Sequence, residues 1–283
     1  MTARERLIGN VHKLVDEERI VSGILLAWGN ALTSERVCYG NAREVRLEAG
    51  AYVPCPALLR ADAVFDLASI TKLFTGVAVL RLSEAGKLRL TDPVKAYDRR
   101  FPYIADVRIL DLLNFHQALS TERRVDAAAD RREALELVYH IRPVERTDNR
   151  FYTDMGAIVL KYIVESAADM PFEAYLREHI FRPLGMTETF GMVPEALLPR
   201  TVTYNYERRI TGGQYLVDTS CPAGTVHDPK ARILSDGGRD LCGHAGLFST
   251  AGDMTRFAQG LLSGALLSTE TVNSMGVNHT GRL

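Results

Sequence analysis

The sequence has no CxxC pair, no HExxH, no other compact histidine cluster, and neither GxxxxGKS/T nor GxGxxG. Their absence excludes zinc ribbons, dithiol redox motifs, zincin-type metal sites and phosphate-cradling glycine loops, so no metal and no cofactor is expected. The four cysteines, Cys38, Cys55, Cys221 and Cys242, are widely scattered. They are expected as free thiols behaving as small apolar residues in a reducing cytoplasm. No apolar run approaches the ~20 residues of a membrane span, so no membrane partner is expected. Met1 to Arg6 leads into an amphipathic stretch and not an apolar signal core, which argues for a cytoplasmic location. An excess of one charge is missing too. Lys and Arg number 34, Asp and Glu 35, and the net charge is -1. A nucleic-acid partner is therefore not expected, because the broad basic footprint is absent. There is no internal repeat and no low-complexity run. What remains, 46% hydrophobic and 24% charged over 283 residues, is the composition of a globular chain of one large domain or two small ones.

Leu7, Ile8, Val11, Leu14 and Val15 recur at helical spacing and predict a surface helix over 3–18. Ile24 to Trp28 and Arg36 to Tyr39 read as strands. Residues 41–63, with Pro54 and Pro56, read as irregular. From Leu67 to Leu80 the only charge is Lys72, so this segment is expected as a helix buried in the middle of the protein, ended by Gly86. Further helices are expected over 109–119, 131–140, 155–168, 172–180 and 253–262, with a loop-rich stretch over 191–240. Two strands do not make a stable sheet alone, and few candidates for more follow residue 240.

The most informative residues are Ser69-Ile70-Thr71-Lys72. Residues three apart on a helix share a face, so the lysine amine can reach the serine hydroxyl. Burial of a lone lysine in an apolar helix penalises its charged form, and a neutral amine beside a hydroxyl is a base beside a nucleophile. The Ser69 backbone N–H, near a helix start, points where an oxyanion could form. The plainer alternative is that Ser69 is a helix cap and Lys72 snorkels to the surface.

At these residues the sequence resembles a known family. Phe65-Asp66-Leu67-Ala68-Ser69-Ile70-Thr71-Lys72 looks like the nucleophile motif of the serine β-lactamase and penicillin-binding protein superfamily, in its class C-like branch. The likeness continues through 86–94, Phe151-Tyr152-Thr153-Asp154, Pro183-Leu184-Gly185-Met186, Gly224-Thr225-Val226-His227-Asp228 and 243–250, in the family's order over residues 20–283. It implies Ser69 as the acylated nucleophile, Lys72 as its base or proton relay, and Tyr152 as the tyrosine that shuttles the proton to the leaving group. Asp154 stands at the substrate where asparagine is usual. A carboxylate there repels an anionic substrate and donates no amide hydrogen bond, which argues against a potent β-lactamase.

Other departures are informative. The loop after Leu113 reads Asn114-Phe115-His116-Gln117-Ala118-Leu119 without the family's glycine, and His116 is read as a polar loop histidine with no partner in sequence. For the third motif, which lines the pocket and supplies a second oxyanion donor, two segments qualify by letter. His244-Ala245-Gly246 resembles a structural turn before a helix, and His279-Thr280-Gly281 comes early for the family. The reading adopted is that the chain stops before this motif and before the last strands of the sheet, as a fragment or as a member with a reduced sheet.

The resemblance thus implies an α+β, β-lactamase-like fold: an antiparallel sheet flanked by helices plus a mainly helical lobe, lacking the last strands. Residues 1–94 and 230–283 would form the α/β lobe and 95–229 the helical one, with the catalytic cleft between them. The implied activity is that of a serine hydrolase acting on small esters, amides or D-amino-acid peptides. The alternative is a weak or truncated relative that binds a peptide-like ligand without efficient turnover. An unpaired sheet edge beside residues 24–40 predicts self-association into a homo-oligomer.

Overall fold

The computed structural model describes residues 1–145, 152–202, 207–211, 214–218 and 222–279. Phe151, Cys221, Thr280 and Gly281, all named above, lie outside them. Helix α1 (Ala3–His12) starts at Thr2 in a reciprocal cap: the Thr2 hydroxyl accepts from the Glu5 N–H, and the Glu5 carboxylate accepts from the Thr2 N–H. Strands β1 (Gly23–Gly29), β2 (Ser34–Glu48) and β3 (Ala51–Leu58) follow as an antiparallel sheet in that order.

The sheet corrects the irregular reading of 41–63. Glu44-Val45-Arg46-Leu47-Glu48 alternates polar and apolar, which is the period of a strand. Ala49 and Gly50, with φ of 48° and 83°, make the left-handed two-residue hairpin loop. The prolines are tolerated because β3 is an edge strand, and Pro56 falls where the register slips between the Arg43–Ala57 and Val45–Pro54 pairs.

Strand β4 (Val64–Asp66) leads through a 3₁₀ turn (Ala68–Ile70) into α2 (Thr71–Glu84). Helix α3 (Ile109–Leu113) is shorter than expected over 109–119. It ends at Asn114, and Phe115 turns left-handed with φ 52°. Next come β5 (Leu119–Ser120), α4 (Arg131–Tyr139), and β6 (Arg142–Pro143), which pairs with β5. Helices α5 (Asp154–Ala168), α6 (Phe172–Leu176) and α7 (Arg182–Leu184) follow. The loop-rich stretch over 191–240 contains a hairpin of β7 (Glu207–Thr211) and β8 (Gln214–Asp218), then α8 (Pro229–Leu234). Strand β9 (Phe248–Thr250), α9 (Ala251–Leu262) and α10 (Thr269–Met275) complete the described chain.

Helix α2 is the hub. Phe74, Val77, Ala78 and Val79 are fully buried, as the near-absence of charge predicts. The Phe74 ring stacks on Phe257 of α9 at 4.2 Å and meets Phe181 edge-on at 5.8 Å. Ile158, Val159, Ile163 and Val164 of α5 are buried in the same core. Each such side chain contributes about 1.5–3 kcal/mol by leaving water. The architecture is the α+β arrangement expected. Strand β9 pairs with β4, and within the described residues the outer edge of β1 carries no strand. Among the described residues no helix is long and apolar enough to cross a membrane.

Because Phe74 ties α2 to both α9 and Phe181, Phe74→Ala should lower unfolding free energy by about 3–5 kcal/mol in urea titrations. A loss below about 1 kcal/mol would show that α2 is not the hub.

Candidate active site

Ser69 is positioned by an aspartate clamp. Asp66, at the end of β4, accepts the Ala68 N–H on Oδ1 and the His227 N–H on Oδ2, each at 2.7 Å. The clamp holds Ala68 in the left-handed region, at φ 44°, a conformation that costs an alanine about 1–2 kcal/mol. The sharp turn exposes Ser69 as the second residue of the 3₁₀ turn, where its N–H has no intrahelical acceptor. The capping alternative fails: the N-cap of α2 is Ile70, with no side-chain cap.

Lys72 lies one turn further on, with its side chain only 10% exposed, so it does not snorkel. Its Nζ is 3.0 Å from Ser69 Oγ, 2.8 Å from Asp154 Oδ1 and 3.1 Å from the His244 carbonyl oxygen. An ammonium has three N–H donors, and here each has an acceptor. The expectation of a lone amine in an apolar setting is thereby corrected. The apolar helix is its own, but Asp154 arrives from the first turn of α5, where the helix dipole favours a carboxylate. The His244 carbonyl is brought in by residues 243–247, which run beside α2. Thr75 Oγ1 donates to the Gly243 carbonyl at 2.6 Å, and the Leu247 N–H donates to Thr71 Oγ1 at 3.3 Å. Gly243 permits this approach: a Cβ there would lie 2.2 Å from the Ala157 carbonyl oxygen.

Three residues that the sequence did not single out as functional complete the charge arrangement. Asp154 Oδ2 meets Lys230 Nζ at 3.1 Å, Lys230 meets Asp228 Oδ2 at 3.2 Å, and Asp228 Oδ1 meets His244 Nε2 at 3.0 Å. Burial opposes the charge on Asp154, but His244, Lys72 and Lys230 outweigh it and hold the carboxyl below its usual range. Burial likewise opposes the Asp228 charge and is outweighed by His244, the Ala231 N–H and Lys230. Lys230 is held above the usual range: burial lowers it, and Asp228 and Asp154 more than reverse that. A signal for this cluster was present. Asp228-Pro229 is a helix start, and Lys230 then puts a cation at the wrong end of a helix dipole, a misfit that calls for acidic partners. Asp154, Asp228 and His244 offer ligand atoms within 4.8 Å of one another. Both carboxylates already face ammonium groups, with which a metal ion would have to compete.

The Tyr152 ring centroid is 5.0 Å from Lys72 Nζ and stacks on Phe115 at 5.2 Å. Its hydroxyl makes no hydrogen bond among the described residues. His116, read as unpartnered, has Asp111 at 3.4 Å and the His279 carbonyl oxygen at 2.5 Å. His279 is exposed and its Nε2 contacts the Ser274 carbonyl oxygen. His244 does precede a strand and helix as expected, and it also serves Lys72. A polar cavity of about 480 Å³ is lined by Ser120, Thr121, Tyr152, Asp154 and Lys230. An apolar one of about 580 Å³, lined by Leu73, Leu113, Phe115 and Val277, borders Lys72.

Since both carboxylates titrate below their unfolded range, their stabilisation is present at neutral pH, starts to fall at about pH 5, and is lost only as pH drops past that range toward the lower folded values. Asp228→Asn should cost about 3 kcal/mol at pH 7, and its gap from wild type should narrow on acidification. Denaturant titrations at pH 7 and pH 3 read this, and an equal gap at both would contradict it.

Residues 36–282 match the family described as Beta-lactamase. An Escherichia coli (strain K12) protein named "Putative D-alanyl-D-alanine carboxypeptidase" is 30% identical over 250 residues, which is 77% of this chain and 56% of the relative. The chain thus spans about half the length of the curated relatives it matches. A class C beta lactamase from Rhodobacter sphaeroides superposes with a TM-score of 0.67 at 20% identity, covering 96% of this chain and 69% of that one. The D-amino acid amidase from Ochrobactrum anthropi SV3 does so with 0.66 at 21% identity, covering 94% and 74%. The two superpositions carry the fold, and the sequence matches carry the family: this chain belongs to the beta-lactamase family.

Proposed function

We propose that the chain is a serine hydrolase working through an acyl-serine on small esters, amides or D-amino-acid peptides, without a cofactor. The observation that carries the reading is the 3.0 Å contact between a buried lysine amine and the hydroxyl of an exposed, sharply turned serine. The names of two similar proteins, a D-alanyl-D-alanine carboxypeptidase and a D-amino acid amidase, support the substrate class. In this reading Ser69 Oγ attacks the substrate carbonyl and its proton passes to the unprotonated Lys72 amine. The oxyanion meets the Ser69 N–H. Lys72, with the Tyr152 ring 5.0 Å away as the other proton carrier, returns a proton to the leaving group, and water then cleaves the ester.

The Lys72 contacts suit both steps. With three protons the amine donates to Ser69, Asp154 and the His244 carbonyl. With two it keeps the last two and accepts from the serine hydroxyl. Asp154 lines the polar cavity, as a substrate contact would, while holding Lys72. Ser69 and Lys72 come from residues 1–94 and Tyr152 and Asp154 from 95–229, so the substrate would lie where these parts meet. The polar cavity, lined by Tyr152 and Asp154, and the apolar one, bordered by Lys72, would take the two ends of a small ester or amide.

A second reading, a peptide-like ligand binder with weak turnover, is favoured by one observation. The last described strand, β9, pairs with β4, so no described strand of 251–279 lines Ser69 with a second oxyanion donor. Such a donor is worth about 3–4 kcal/mol.

Hydrolysis of p-nitrophenyl esters and D-alanyl peptides by variants tests both. Ser69→Ala should abolish turnover, and Lys72→Ala should lower kcat by about 10²–10⁴. Tyr152→Phe should slow acylation or deacylation with little change in Tm. Wild-type rates in Ser69→Ala would refute the serine. Raised KM with unchanged kcat in Lys72→Ala would make that lysine a binding group. A stable adduct without turnover in the unaltered chain would select the second reading.

A further inference from the structure

We propose that Lys230 is a positioning residue that sets the pH at which Ser69 becomes nucleophilic, acting on Lys72 through the shared carboxylate of Asp154. The proposal rests on the reading of Ser69 and Lys72 as nucleophile and base.

The contacts close a ring. Lys72 Nζ meets Asp154 Oδ1 (2.8 Å), Asp154 Oδ2 meets Lys230 Nζ (3.1 Å), and Lys230 meets Asp228 Oδ2 (3.2 Å). Asp228 Oδ1 meets His244 Nε2 (3.0 Å), and the His244 carbonyl oxygen returns to Lys72 Nζ (3.1 Å). The side chains of Lys230, Asp228 and Asp154 are each less than a quarter exposed, and that of His244 is not exposed at all. Lys230 is thus a largely enclosed, paired member of the ring and not a solubilising surface lysine. Its stem spans from α8 to the first turn of α5 and ends on the oxygen of Asp154 that Lys72 does not use.

The ring matters because of which proton must move. To serve Ser69, Lys72 first releases one ammonium proton to solvent. The hydroxyl proton then passes to the freed lone pair as Oγ attacks. The 3.0 Å contact serves N–H to O and O–H to N alike, so geometry alone does not choose between the two states. The surrounding charge does. Two ammonium groups face two carboxylates. Lys230 takes one of the two oxygens of Asp154, pairs Asp228, and repels a positive charge on Lys72 across the shared carboxylate. Remove Lys230, and a single ammonium faces two carboxylates. Lys72 then keeps its proton to higher pH, and Ser69 is activated later. The titratable groups around Lys72 are Asp154, which it touches, the Tyr152 ring at 5.0 Å, and, one contact further out, Lys230, Asp228 and the His244 ring. Of these, Lys230→Met alters only Lys230.

The test is the rate of fluorophosphonate labelling of Ser69 in the full chain from pH 5 to 10. Lys230→Met should move the half-maximal pH upward by about one unit, since an added or lost neighbouring charge shifts a titration by that order. Lys230→Arg, which keeps the charge, should retain the wild-type midpoint, and Asp154→Asn should move it downward. If Lys230→Met does not fold by circular dichroism, Lys230→Gln is read by the same criterion. A lower labelling plateau with an unmoved midpoint would make Lys230 a structural residue and overturn the proposal alone. Absence of label at every pH in the unaltered chain would overturn the serine reading and this proposal with it.

Discussion

The ion pair between Lys72 and Asp154 is the contact on which the site depends. It joins the start of α2 to the start of α5, the two helices with the most buried residues among those described, at the point where Ser69 is proposed to react. An ammonium in that position is costly without partners. The carboxylate repays the cost and also fixes where the amine sits relative to Ser69. The same contact explains why Asp154 can stand where the family more often has asparagine. An amide would hydrogen-bond Lys72, but only a charge can balance two lysines at once.

The rest of the arrangement serves that contact. Asp66 holds the strained turn at Ala68 and so aims Ser69. Residues 243–247 are fastened along α2 by Thr75 and Thr71, and they deliver the His244 carbonyl as the third acceptor for Lys72. Lys161, buried on α5, pairs with Glu165 at 3.0 Å and Asp240 at 2.8 Å, and so anchors the start of that segment to the same helix. A lysine with two acidic partners thus appears twice against α5. At Lys161, on α5 itself, it is a strut within the core. At Lys230, on α8, it shares Asp154 with Lys72 and lines the polar cavity.

Much of this was legible in the sequence, for identifiable reasons. The fourteen residues from Leu67 to Leu80 with one charge announced a buried helix, and the serine three residues before that charge announced a shared face. Strand β2 beyond Tyr39 and strand β3 were missed, because two prolines outweighed the alternation at 44–48. The edge position and register slip that accommodate those prolines are tertiary facts. Helix α3 stops early through a left-handed Phe115, which no local rule favours. Lys230 was missed for a similar reason. Its partners are 76 residues upstream and two residues back, and only the fold brings Asp154 and Asp228 together around it. His116 looked unpartnered because its nearest acid, Asp111, sits on the turn of helix just before it.

The central claim is that Lys72 activates Ser69 and no other nucleophile of the site. The most direct measurement is intact-mass and peptide mapping of the chain quenched during reaction with an activated ester. The account places one acyl group on the peptide containing Ser69, absent when Lys72 is replaced by alanine. An acyl group on any other residue, or an equal yield on Ser69 without the lysine, would contradict it.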